Sequence, residues 1–202
     1  MCRPGDSSPT RGFPLSDFDY LSVLISIVLG LGITNLLGGL ATLVRRRSRI
    51  AMYWPLPVWI VTLFLIHVQT WWAMFGLREI QHWSFEAFLV VLMQPVLLYL
   101  MSALILPESM DGETKIDLKE TYFRERAWFF AAFLAVLFVS LSKDLVLSGH
   151  LPDWPNLGAH IIFILFALIG VTTRNDLVHK FLAPFGFLIL CTYIGVLFTM
   201  LG

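Results

Sequence analysis

Long stretches without a formal charge are the feature that most constrains how this chain can fold. Six of them occur, at Tyr20–Val44, Ile50–Leu77, Ala87–Pro107, Ala127–Ser142, Trp154–Thr173 and Phe181–Gly202. An α-helix needs roughly 20 apolar residues to cross the hydrocarbon core of a bilayer. Five stretches are that long, and the shorter fourth one requires its flanking charges to snorkel or pair. The pattern predicts an all-α fold, a polytopic integral membrane protein with six transmembrane helices in a compact bundle.

Composition leaves little material outside this bundle. Hydrophobic residues make up 57% of the 202 residues and charged residues 14%, against about 25% charged residues in a soluble domain. The charged segments are too short to form a soluble catalytic domain. Residues 1–16 are rich in Pro, Gly and Ser, and they lack the apolar stretch of a signal peptide. We therefore predict a flexible N-terminal tail, residues 1–16, followed by a six-helix transmembrane domain, residues 17–202.

The distribution of basic residues predicts how the chain is threaded. Cytoplasmic loops of membrane proteins carry an excess of Lys and Arg. Ten of the 14 Lys and Arg residues follow the first, third and fifth predicted helices. We therefore expect an inner-membrane protein of a bacterium with both termini on the non-cytoplasmic side. The mixed-charge segment Glu113–Arg126 is either a surface helix or an extension of helix four.

Four polar residues on four different helices are candidates for a pore or a ligand-binding site. They are Asn35, His67, Gln94 and Thr192, which are predicted to lie near the middle of the bilayer. An unpaired polar group in hydrocarbon costs about several kcal/mol. We expect such groups to meet one another, water or a ligand.

The second helix contains the most unusual of these residues, in the segment IHVQTWW. His67 titrates near neutral pH when unperturbed, so it suits a proton relay or a ligand site. The alternative is a neutral imidazole that is hydrogen-bonded within the bundle. His67 and Gln69 project to opposite faces, whereas His67 and Trp71 share one face. This arrangement predicts that helix two is surrounded by protein.

Three further segments predict local helix geometry, packing or a helix boundary. Pro95 removes a backbone donor beside Gln94, which predicts a kink and a free carbonyl at Val91. Gly32, Gly38 and Gly39 are predicted to form a helix-packing face with Asn35, either within the chain or against another subunit. Ser140, Lys143 and Asp144 are interpreted as the boundary of helix four rather than as a site.

The sequence gives no support for a metal or redox centre. No second histidine is predicted near the depth of His67, so a bis-histidine haem is disfavoured. His82, His150 and His160 match no zinc spacing. The motifs HExxH, GxSxG, CxxC and the phosphate-binding loop are absent. We predict no metal ligand and no catalytic residue, the cofactor stays undefined, and an enzyme is the less favoured class.

Three hypotheses for function follow. The leading one is a channel or transporter that moves a small ion or solute through the polar layer. The second is a non-catalytic accessory subunit of a larger membrane complex. The third is a membrane-embedded redox or enzyme module. The expected partner is the lipid bilayer, with a homo-oligomer or a larger complex left open, and no nucleic acid is expected.

Overall fold

Six α-helices dominate the structure, a computed structural model that describes residues 17–80, 82–107 and 115–197. They are α1 Asp17–Arg45, α2 Pro55–Ala73, α3 Phe85–Leu104, α4 Leu118–Ser148, α5 Trp154–Thr172 and α6 Asp176–Leu197. All six are long and apolar enough to cross a membrane, α2 together with the 3₁₀ turn Met74–Glu79 that continues it. The predicted all-α six-helix bundle is confirmed, and the chain is a membrane protein. The predicted tail, residues 1–16, lies outside the described residues.

Local sequence explains where two of the helices begin or end. The side chain of Ser84 accepts a hydrogen bond from the backbone N–H of Ala87 and so caps the start of α3. Asp117 caps α4 in the same way, through the N–H groups of Lys119 and Glu120. Gly149 ends α4 in the left-handed conformation, with φ 74°.

Helix α4 contains the shortest uncharged stretch, yet it is the longest helix. Its 31 residues extend about 46 Å at 1.5 Å per residue. The charged residues on both sides of Ala127–Ser142 therefore lie on additional turns of the same helix. From Leu118 on, the mixed-charge segment belongs to this extension, and Ile116–Asp117 before it form a short strand.

Five of the helices form a closed ring. Along the chain α2 packs on α3, α3 on α4, α4 on α5 and α5 on α6, and α6 returns to α2. Helix α1 lies outside this ring, with α2 and α3 as its main neighbours. Residues on the inner faces of α2 to α6 can therefore share one central space, and residues of α1 are separated from it.

The two ends of the bundle differ in character. At one end, called the basic end, strand β1 (Ile50–Ala51) after α1 pairs in parallel with strand β2 (Ile116–Asp117) before α4. The same end holds the start of α6, where Asp176 accepts hydrogen bonds from Lys119 at 3.0 Å and from Lys180 at 2.9 Å. The opposite end, called the cavity end, contains the 3₁₀ turn and the connection between α4 and α5.

The glycines of α1 have different environments. A Cβ atom added at Gly32 would lie 2.3 Å from His67 Nε2, and one at Gly39 would lie 2.3 Å from Leu106. These two glycines therefore let α1 approach its neighbours closely. Gly38 is exposed, and an added Cβ would meet nothing within 4 Å. Its predicted place in the packing face is not found within the chain, because it points away from α2 and α3.

Helix α2 is not enclosed by protein on all sides. Val61, Val68 and Trp71 are 41%, 41% and 56% exposed and form a stripe on the outside of the bundle. His67 is completely buried, but the exposure of this stripe shows that the prediction of a helix two surrounded by protein is wrong. The reason is that α2 takes part in the ring wall, and every helix in such a wall has an outer edge.

Candidate functional site

A polar cavity lies inside the ring at the cavity end. Its volume is about 380 Å³, within the range of small-molecule sites, roughly 300–1,000 Å³. It reaches the surface beside the exposed residues Gly76 and Ser148. The polar residues on its wall come from α2, α3, α4, α5 and α6, and they are Gln69, Thr70, Gln94, Ser140, Lys143, Asp144, Ser148, Asn156 and Tyr193.

The cavity narrows toward the middle of the bundle into a smaller space, called the inner recess. This recess has a volume of about 80 Å³ and shares Gln69, Thr70, Gln94, Ser140 and Tyr193 with the polar cavity. Its other walls are mainly apolar and aromatic. They include Ile66, Phe133, Leu137, Phe163 and Phe166.

An aromatic cluster closes the recess on the side of the basic end. The Trp59 ring meets the rings of Phe129, Phe130 and Phe166 edge to face, with centroids 5.4, 5.5 and 5.9 Å apart. Trp59, Phe129 and Phe130 are at most 1% exposed. This arrangement is the favourable one for aromatic pairs. The cluster fills the centre of the ring and separates the cavity from the basic end.

Glycines in α5 and α6 let the aromatic rings pack closely against these helices. A Cβ at Gly170 would lie 2.5 Å from Phe130, and one at Gly186 would lie 2.8 Å from Phe166. Larger residues at either position would therefore displace a ring of the cluster or the ring beside it. The small residues thus contribute directly to the seal.

On the basic-end side of the aromatic cluster, hydrogen bonds join α4 to α6. The Nε2–H of the buried His179 donates to the carbonyl of Thr173 at 3.0 Å, so a neutral ring accepts the Tyr122 hydroxyl at Nδ1, at 2.9 Å. The Tyr53 ring packs on Tyr122, and burial raises the pKa of the Tyr53 phenol well above its usual range. Tyr53 is therefore neutral at physiological pH, and its ring packs beside the hydrogen-bonded pair Tyr122–His179 at this end.

Gln94 is the sequence candidate that lies on the cavity wall. Helix α3 continues through Pro95 as one helix, and it places Gln94 against both the cavity and the recess. Its Oε1 accepts a hydrogen bond from Lys143 Nζ at 3.4 Å. The Gln94 side chain, beside Pro95, is thus oriented toward the interior of the ring.

His67 lies away from the cavity, in the contact between α2 and α1. Its Nδ1–H donates to the carbonyl of Leu63 at 2.8 Å, since a carbonyl can only accept. Its Nε2 packs against Gly32 and has no hydrogen-bond partner among the described residues. The ring is therefore a buried packing element, and the surrounding contacts favour the structural interpretation over a hydrated relay.

The other two candidates also lie outside the cavity. Asn35 donates from Nδ2 to Ser102 Oγ at 3.2 Å and so joins α1 to α3. Thr192 is exposed on the outer face of α6, where its hydroxyl donates to the carbonyl of Leu188 at 2.9 Å. The sequence predicts these residues in one layer because of their depth along the helices. The rotation of α6 turns Thr192 away from the cavity, and the peripheral position of α1 keeps Asn35 apart from it.

Several cavity residues were not among the sequence candidates. Ser140, Lys143 and Asp144 were interpreted as a helix boundary, yet all three face the cavity. The signal was present in the sequence, because an uncharged stretch too short to span brings its charges into the bundle. Asn156 gave no comparable signal, since it is an ordinary residue near a helix end. Tyr193 adjoins Thr192 and was predicted at the same depth, but it was not chosen as a site residue.

Hydrogen bonds hold part of the cavity wall in place. The Nδ1–H of His160 donates to the carbonyl of Asn156 at 2.8 Å, which leaves Nε2 to accept from Ser140 Oγ at 3.1 Å. The Tyr193 hydroxyl donates to Asn156 Oδ1 at 3.0 Å. These contacts join α4, α5 and α6 at the cavity and orient the Ser140 oxygen.

The hydroxyl of Thr70 on the cavity wall is left without a partner among the described residues. Thr70 is 3% exposed, and its hydroxyl has no hydrogen bond within the described chain. It lies where the cavity meets the recess. Buried hydroxyls are usually paired, so this oxygen is available to a solute or to water.

No group of three or more metal-ligating residues is found within residues 17–80, 82–107 and 115–197. The polar groups that line the cavity are charges, amides and hydroxyls. Comparison of the chain with protein-family models, curated proteins and solved structures finds no match. The fold and site define the class as a six-helix membrane protein with a polar cavity inside a ring of five helices.

Proposed function

We propose that this protein carries a small polar solute across the membrane, with the polar cavity as the binding site. The observation that carries the proposal is a cavity with charged and polar walls that is enclosed by five apolar helices. Polar and ionisable groups inside a membrane bundle are expensive, and they commonly mark solute pathways. A cavity of this size would be an unusual cost for a purely structural bundle.

The aromatic cluster favours a carrier over a permanently open channel. A charged solute would have to lose its water to cross the tightly packed and mainly apolar rings around Trp59. Passage therefore requires these rings to move, and with them the segments of α5 and α6 on which they pack. The cavity then becomes accessible from one side at a time.

The distribution of Lys and Arg supports an orientation for this carrier. With the basic end in the cytoplasm, as the excess of basic residues there favours, the polar cavity opens toward the non-cytoplasmic side. Gly76 and Ser148 then lie at its mouth. In this orientation the present arrangement is the outward-facing one.

The test is solute entry into liposomes that contain the purified full-length chain. The panel consists of potassium, chloride, glycerol and L-alanine, each compared with protein-free liposomes. Ala73→Trp places a large ring in the polar cavity without removing a polar contact. Val68→Trp adds the same ring on the lipid-facing side of the same helix, where Val68 is 41% exposed.

We expect at least one solute of the panel to enter faster than in protein-free liposomes. Ala73→Trp should abolish that entry, whereas Val68→Trp should leave it unchanged. Entry that is insensitive to Ala73→Trp, or no entry of any solute, would contradict a pathway through the cavity. Stoichiometric co-purification with another membrane protein, in the absence of entry, would instead favour the accessory-subunit hypothesis.

A further inference from the structure

The charged residues on the cavity wall indicate which class of solute the cavity could bind. Of the described residues that line the polar cavity, Lys143 and Asp144 are those with a formal charge. They are consecutive in α4, so their side chains diverge by about 100° around the helix. No salt bridge in the described part of the chain joins them, so neither charge is paired with the other by direct contact.

Each of the two charges has unused bonding capacity. The Lys143 ammonium has three donors, and its hydrogen bond in the described structure goes to Gln94 Oε1 at the long distance of 3.4 Å. The Asp144 carboxylate receives no hydrogen bond or ion pair from any residue in the described ranges. Both groups are half-buried, which makes an unpaired charge costly.

The geometry points to a small zwitterion as the solute, with its carboxylate at Lys143 and its ammonium at Asp144. An anion would pair with Lys143 but leave Asp144 without a partner, and a cation would do the reverse. A zwitterion satisfies both and brings no net charge into the membrane. This inference rests on the proposed function, because it names the class of solute that the polar cavity takes.

Neutral groups beside Lys143 suit a carboxylate. The unpaired hydroxyl of Thr70 lies on the same wall as Gln94 and can donate a hydrogen bond. Gln69 adds an amide with two further donors. A carboxylate has about four acceptor positions, so these groups and the ammonium match its capacity.

The inner recess limits the remaining part of the solute. Its volume of about 80 Å³ and its apolar walls, which include Ile66, Phe133 and Phe163, suit a short aliphatic group. A large or charged substituent would meet the aromatic cluster. The solute class is thus an amino acid with a short aliphatic side chain, for which L-alanine is the probe.

The experiment measures equilibrium binding to the purified full-length chain by titration calorimetry. L-alanine is compared with propionate, which lacks the amine, and with ethylamine, which lacks the carboxylate. We expect L-alanine to bind at least roughly tenfold more tightly than either, the scale of one well-placed charge contact. Equal or weaker binding of L-alanine than of propionate or ethylamine would overturn the inference, as would no saturable binding of L-alanine.

Two variants assign the charges to their roles. Lys143→Gln should remove the preference for L-alanine over ethylamine, because both then offer one useful charge. Asp144→Asn should remove the preference for L-alanine over propionate for the corresponding reason. Arg124→Gln, a change of charge at the opposite end of α4, should preserve both preferences and controls for the folding of charge variants. Unchanged preferences in Lys143→Gln and Asp144→Asn would overturn the assignment.

The failure of this inference differs from the failure of the proposed function. If potassium, chloride or glycerol enters liposomes through the cavity while L-alanine neither binds nor enters, the cavity conducts and the zwitterion inference is wrong. If L-alanine binds with the expected selectivity but no solute enters, the inference holds and transport is wrong. Calorimetry and liposome entry on the same preparation separate these results.

Discussion

Single residues decide how closely α1 can approach the ring. The His67 ring lies directly on Gly32, where even a methyl group would overlap Nε2. Nearly two helical turns further on, Gly38 faces open space. Both residues are glycines of the same helix, and what distinguishes them is the face of α1 on which each lies.

Replacing Gly32 by Ala should lower the free energy of unfolding by about 1–3 kcal/mol, the usual cost of overpacking. The matched change, Gly38→Ala, meets no atom and should stay within about 0.5 kcal/mol of wild type or stabilise the helix slightly. Unfolding of both variants in a denaturing detergent titration compares them. Equal destabilisation by the two changes would contradict the described contact between α1 and α2.

The two polar candidates at mid-helix should behave differently in transport. His67→Leu removes a ring that does not line the cavity, and the backbone carbonyl of Leu63 keeps its helical partner. Solute entry should therefore be unchanged at every pH. Gln94→Leu removes the acceptor of Lys143 and should lower entry by roughly tenfold, the scale of one charge-assisted hydrogen bond.

Liposome entry of the solute that the wild-type chain admits measures both changes. Melting in detergent serves as the control for folding in each case. A loss of entry in a well-folded His67→Leu variant would return His67 to the pathway and would contradict its placement between α1 and α2.

At the scale of elements, one side chain stabilises the end of another helix. Arg126 on α4 is 6% exposed, and its Nη1 donates to the carbonyls of Gly170 and Val171 at 3.1 and 2.7 Å. These carbonyls belong to the last turn of α5, where no further helical N–H is available. A buried cation at a helix C-terminus also complements the helix dipole.

Arg126→Gln should therefore destabilise the chain by about 1–3 kcal/mol for each carbonyl left unpaired. Arg124 lies on the same turn with an exposed salt bridge to Glu125, and such pairs contribute about 0–1 kcal/mol. Arg124→Gln is thus the matched control. Detergent unfolding compares them, and similar losses in the two variants would show that the cap contributes little.

The elements also show how far the sequence alone could predict the molecule. Six helices were predictable because apolar length is a property of each segment separately. The peripheral position of α1 was not, since hydropathy does not specify which helices form a ring. Asn35 and Thr192 were predicted at one depth with His67 and Gln94, but neither lies on the wall of the polar cavity or the inner recess. Gln94 was the exception, because α3 lies in the ring with that face inward.

Charges near helix ends were harder to interpret. Lys143 and Asp144 follow an uncharged stretch that is too short to span, which is consistent with both a boundary and a cavity. The length of α4 resolves this, because the helix continues to Ser148 and carries both charges along the ring wall. A local pattern cannot distinguish the two cases, since the distinction depends on the opposing helices.

At the scale of the whole molecule, we expect water inside the ring and lipid outside it. The adjacent residues Gln69 and Val68 sample these two environments. Gln69 lines the polar cavity, and Val68 is exposed on the outer stripe of α2. A thiol reacts as its thiolate, which forms readily in water and is strongly disfavoured in hydrocarbon.

The most direct test of the central claim is therefore the labelling rate of Gln69→Cys and Val68→Cys by a small charged thiosulfonate. Both changes are made in a chain in which Cys2 and Cys191 are replaced by serine, and the protein is reconstituted in lipid. We expect rapid modification of Gln69→Cys and almost none of Val68→Cys. Equally slow modification of both positions would contradict a hydrated polar cavity.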